Sequence, residues 1–128
     1  MKEQLVSFET AKLAKEKGFD GFCFDAYNTH KMKYSDGWLE YIGDNEIEIP
    51  FTSKALKSED ILAPTQSLLQ KWLREVHNLI VIIDWGPLSE KYSYAIYHNG
   101  KYCDGEYVNA MYEDALEEGL VEALKLIQ

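Results

Sequence analysis

A chain of 128 residues can bury about two thirds of the surface its unfolded form would expose, so one core and a single domain over residues 1–128 are expected. Apolar residues make up 46% of it and aromatic ones 13%, which excludes a solvating, disordered chain. The formal net charge of −9 argues against direct DNA or RNA binding, because affinity for a phosphate backbone comes from Lys and Arg.

The opening MKEQLVSFET has no apolar run of signal-peptide length, and no stretch approaches the ~20 apolar residues of a membrane span. A cytoplasmic protein is therefore expected. Two cysteines, Cys23 and Cys103, are too few for a disulfide scaffold and read as reduced, half-buried strand residues.

In chain order, a first helix is predicted from about Phe8 to Lys17, with Ser7 as N-cap, Gly18 ending it in the left-handed conformation and Phe19 as its apolar partner. "GFCFDAY" and the Lys-Met-Lys-Tyr segment read as strands joined by a loop around Asn28 to His30, followed by a turn at Asp36-Gly37. "WLEYI", the turn Gly43-Asp44-Asn45 and the alternating "EIEIP" give two more short strands. Residues 51–62 lack a clean period and read as a loop over the sheet.

The second helix follows Thr65, with Leu68, Leu69, Trp72, Leu73 and Val76 as its apolar stripe and Gln66, Gln70, Lys71, Arg74 and Glu75 facing outward. Asn78 closes it. "LIVIIDW" then reads as a buried strand, and "KYSYAIY" and "KYC" as a hairpin around Asn99-Gly100, the strongest two-residue hairpin signal. The third helix, residues 112–127, carries Tyr112, Ala115, Leu116, Gly119, Leu120, Ala123, Leu124 and Ile127 on one side. Gly119 on that side points to close helix packing. The fold class predicted is α+β, a mostly antiparallel sheet with three amphipathic helices packed on it.

A helix followed at once by a strand, with no helical period before it, does not fit a helix-turn-helix reader, although the stretch 63–79 has the look of one. His30, His77 and His98 with the two cysteines show no zinc spacing, and no Gly-rich phosphate loop or calcium loop is present, so neither a metal nor a cofactor is expected. No residue is singled out as catalytic. From Asp104 to Glu122 there are seven carboxylates and no Lys or Arg, which predicts a negative surface that includes Glu113, Asp114, Glu117 and Glu118.

Three segments, "LVSFETAKLAKEKGFD", "APTQSLLQKWLREVHN" and "YEDALEEGLVEALKLI", resemble a family of short uncharacterised proteins encoded by bacteriophages and prophages of gut Bacteroidetes. They cover about a third of the chain. The family looks to have Thr before the Tyr-Glu-Glu of its last helix, where this chain has Met111, so here Asn109 caps the helix or the cap is weak. The resemblance implies an accessory protein acting in a bacterial cytoplasm by binding and not by catalysis.

The expected function is recognition of a host or phage protein through Trp38, Tyr41, Trp85, Tyr92 and Tyr94, the outward Lys71 and Arg74, or the acidic third helix. One alternative is a nucleotide-like ligand held near the 51–62 loop by Lys54, Lys57, Lys71 and Arg74. A lesser one is mimicry of DNA by the carboxylates. Exposed Tyr and Trp also leave a homodimer open.

Overall fold

The computed structural model describes residues 4–21, 23, 25–27, 33–35, 38–42, 45–49 and 61–128, and among these a helix, five strands, a second helix, three strands and a third helix follow in chain order. At residues 25, 33–35, 38–42 and 45–49 it describes the backbone alone. The α+β class with antiparallel sheets holds. Where one sheet was expected, the described strands form three, ordered β2-β1-β5, β3-β4 and β6-β7-β8. The chain divides into two compact units, one of Leu5–Thr65 and the other of Met1–Gln4 with Gln66–Gln128. None of the helices among the described residues is long and apolar enough to cross a membrane.

In the Leu5–Thr65 unit, α1 spans Phe8–Glu16. The Ser7 hydroxyl accepts from the Thr10 N–H at 3.2 Å, a cap that contributes about 1 kcal/mol. At the other end Gly18 has φ +92, its N–H donates to the Lys15 carbonyl, and the Phe19 N–H donates to the Ala14 carbonyl at 2.9 Å. That is the closure expected of Gly18-Phe19, with Phe19 buried. Strands β1 (Asp25–Tyr27) and β2 (Lys33–Ser35) pair antiparallel, as do β3 (Trp38–Ile42) and β4 (Asn45–Ile49). The Tyr27 hydroxyl donates to the Val6 carbonyl at 2.7 Å, and its ring meets Phe8 edge-on.

The loop expected over 51–62 is corrected at its end. Ile61 and Leu62 form β5, which pairs with Ala26 and Tyr27 of β1 and packs against α1. Both are apolar and buried, but two residues are too few to show a period. Residues 51–60 lie outside the described ones.

The other unit is built from α2 (Gln66–His77), β6 (Leu79–Gly86), β7 (Lys91–His98), β8 (Lys101–Asp104) and α3 (Tyr112–Lys125). Both helices pack on one face of the sheet and on each other. Leu69, Leu73, Leu79, Leu116, Leu120 and Leu124 are buried, each worth about 2 kcal/mol relative to exposure. Asn99 and Gly100 have φ +52 and +80, the left-handed pair that a two-residue hairpin between His98 and Lys101 requires.

Two expectations for this unit are corrected. The strand 79–85 is not buried on both faces: Leu79 and Val81 are, whereas Ile80 and Ile82 are 38% and 39% exposed, because the helices cover one face only. Helix α2 is also rotated from its apolar stripe. Val76 is 60% exposed, while Gln66 is buried and Gln70 is turned inward. The Gln66 amide donates to the Glu113 carbonyl at 2.8 Å and to Glu117 Oε1 at 3.0 Å, and the Gln70 amide donates to the Val81 carbonyl at 2.6 Å. These bonds, the first pair to α3 and the last to β6, draw the polar edge of α2 into the core.

Candidate functional site

Side chains alternate along a strand, so Val81, Ile83 and Trp85 of β6 lie on one face with Tyr92, Tyr94 and Ile96 of β7. Helix α3 covers that face closely. A Cβ placed on Gly119 would sit 2.8 Å from Tyr94 Cβ and 2.9 Å from Val81 Cγ1. The packing role expected of Gly119 is thus seen directly. Because α3 begins at Tyr112, Trp85 and Tyr92 sit where the helical cover ends.

There the rings form a row. Trp85 and Tyr92 are cross-strand partners with centroids 4.8 Å apart, and Tyr92 meets Tyr112 edge-on at 5.9 Å. Trp85 is 49% exposed and Tyr112 44%, with Tyr92 half-buried between them. The β6–β7 turn closes with the Glu90 N–H donating to the Gly86 carbonyl at 2.8 Å and Glu90 at φ +55, which leaves Leu88 fully exposed at its tip.

A bulge frames the row from the β8 side. After Asp104 the Gly105 N–H still donates to the Tyr94 carbonyl, and the Ser93 hydroxyl donates to the Gly105 carbonyl at 2.7 Å. Residues 106–108 then loop out, and Asn109 rejoins the sheet through its carbonyl, which accepts from the Tyr92 N–H at 2.7 Å. The excursion lays the Tyr107 ring against Gly86 and leaves Val108 exposed. The Asn109 amide donates to Glu118 Oε2 at 2.9 Å and does not cap α3, whose N-cap residue Met111 makes no side-chain bond. Of the two expectations for that helix start, the weak cap is the one found.

The predicted contact residues separate into groups. Trp85 and Tyr92 belong to the ring row. Tyr94 is packed between Gly105 and Gly119, and burial, followed by the Glu122 and Glu118 charges, raises its phenol above the usual value. Lys71 and Arg74 are exposed on α2. Trp38 and Tyr41 are paired with Ile49 and Glu46 in the backbone register of β3 and β4, and their side chains lie outside what is described. Lys54 and Lys57 lie outside the described residues altogether.

The acidic face is more engaged than expected. Glu117 accepts from Gln66 and Glu118 from Asn109, both half-buried, and Glu122 pairs with Lys125 at 3.1 Å. Asp114, Asp104 and Glu106 are exposed, and Glu113 is half-buried. On the open sheet face the Tyr97 and Tyr102 rings meet at a tilt of 54° with centroids 5.0 Å apart, and the Tyr102 hydroxyl donates to Asp104, a bond that raises its own pKa.

The cysteines differ: Cys23 is buried, while Cys103 is exposed on the uncovered edge strand β8, not half-buried as expected. His77 ends α2 with its ring edge-on to Trp72 at 4.7 Å, and His98 borders the hairpin turn. Both line a half-open cavity of about 330 Å³ with Leu79, Asn99 and residues 126–128. Among the described residues no group of three or more His, Cys, Asp or Glu is placed to hold a metal ion.

Sequence reading missed Leu88, Tyr107 and Tyr112 as surface residues. An apolar residue directly after Pro87 in a hairpin turn was the available signal for Leu88. Nothing local distinguishes Tyr112, the first residue of an apolar helix stripe, from a core residue. No family model, no curated protein and no solved structure matches the chain, so the geometry of the ring row is what a functional reading has to stand on.

Proposed function

We propose that the protein is a binding module, of the phage or prophage accessory kind, that recognises another protein in the cytoplasm of a bacterial host through the row Trp85–Tyr92–Tyr112 and the adjoining Leu88 and Tyr107. The observation that carries this reading is that a Trp and a Tyr in mutual ring contact with a second Tyr remain about half exposed at the end of a well-packed sheet. Large rigid rings contribute much contact area for little side-chain entropy, and Trp and Tyr are enriched among residues that dominate interface energies. Their backbone is held by β6, β7 and the Tyr92–Asn109 bridge, so little ordering is required on binding.

The test is affinity capture from a Bacteroidetes lysate with the wild-type chain and with Trp85→Ala/Tyr112→Ala. The expected result is a partner recovered in stoichiometric amount at physiological salt and held on the order of tenfold or more weakly by the double variant. Recovery of no partner at any salt from low to physiological, or equal recovery by the variant, would overturn the reading.

A further inference from the structure

We infer that the ring row takes a cationic segment of its partner, with an arginine side chain laid on the Trp85 ring; this deepens the function proposed above and rests on it. From Glu106 to Glu118 the chain carries five carboxylates (Glu106, Glu113, Asp114, Glu117 and Glu118) and no Lys or Arg. This span holds Tyr112 and pairs with Tyr92 through Asn109. Glu113 and Asp114 follow Tyr112 directly in the first turn of α3. Glu118 is tied to Asn109, whose backbone pairs with Tyr92.

The helix start contributes a partial positive charge of about half a unit, which the two first-turn carboxylates outweigh. A cation arriving at the row therefore meets an attractive field and the electron-rich faces of aromatic rings together. A guanidinium suits both: it is planar, stacks on indole, and loses less hydration than an ammonium when it leaves water. Tyr92 and Tyr112 stand at 86° to one another, so an extended chain crossing the row meets rings in two orientations. An acidic partner segment would be repelled by these carboxylates.

The test uses four synthetic capped peptides of one length and spacing, carrying arginine, lysine, citrulline or proline at the same positions. Citrulline keeps the planar shape of arginine without its charge. Binding is followed on the full chain by amide NMR shifts and tryptophan fluorescence. The expected order is arginine tightest, then lysine, with citrulline and proline far weaker, and shifts centred on residues 84–92 and 107–114.

Trp85→Ala should weaken the arginine peptide about two- to fivefold, the range for an exposed cation–ring contact, with Trp85→Phe in between. Asp114→Asn should weaken it mainly at low salt. Unchanged circular dichroism of each variant checks that it has folded. If the arginine peptide binds Trp85→Ala as well as wild type, or shifts residues elsewhere, or does not bind at low salt, the inference fails. Citrulline or proline peptides binding at the row with wild-type preference would sink the cationic partner yet leave the ring row as a protein-binding surface.

Discussion

Tyr94 is half-buried under Gly119, with its phenol among the charges of Glu122 and Glu118, and its pKa lies above the ordinary 10.0. In the unfolded chain the phenol ionises near its ordinary value. Between that value and the higher folded one, the unfolded chain has released a proton that the folded chain keeps. Stability from this group is therefore complete below about pH 10 and is lost as pH rises through the folded pKa. Urea midpoints followed over about pH 8 to 11 should fall less steeply for Tyr94→Phe than for wild type. Equal slopes would mean that the phenol does not sense its surroundings. Gln66 shows the opposite limit of legibility: its polarity placed it outside, and only the presence of Glu113 and Glu117 on α3 explains why it is buried. A local pattern names a residue's type, whereas its partner comes from an element 47 positions away.

At the scale of elements, the chain read well where local rules decide. Ser7, Gly18, Asn78 and Asn99-Gly100 mark ends and turns that the backbone confirms, the last three at positive φ. Helix stripes were legible to within a rotation. What failed was the number of covered faces: "LIVIIDW" is apolar on both sides, but only helices on both sides would bury it, and the described packing puts α2 and α3 on one. Helix α3 supplies a test of that packing. Gly119→Ala should gain about 1 kcal/mol of helix propensity yet lose about 1–3 kcal/mol by overpacking against Tyr94 and Val81. A net loss near 1 kcal/mol, read from the urea midpoint, is expected; a more stable variant would contradict the close approach.

For the whole molecule, charge dominates. A net −9 on 128 residues is self-repulsive, and the Lys125–Glu122 pair is too exposed to offset much of it. Raising salt from about 0.01 to 0.15 M should therefore raise the thermal midpoint by screening that repulsion. A falling midpoint would show that attractive pairs outweigh it. The charge excess was fully legible in composition. The exposed ring row was not, because it exists only once β6, β7 and the start of α3 are brought together.

Gly119 lies seven residues from Tyr112, two turns along the same face of α3 and about 10 Å by helical rise. The missing side chain there works as a notch that fits over Val81 and Tyr94, and a helix slid or rolled by one position would present Glu118 or Leu120 instead. The notch thus indexes where the far end of the helix comes to rest. Tyr112 reaches Tyr92 because a glycine two turns away sets the alignment, so the outline of the ring row can be altered from beneath α3 without a change to any of its rings.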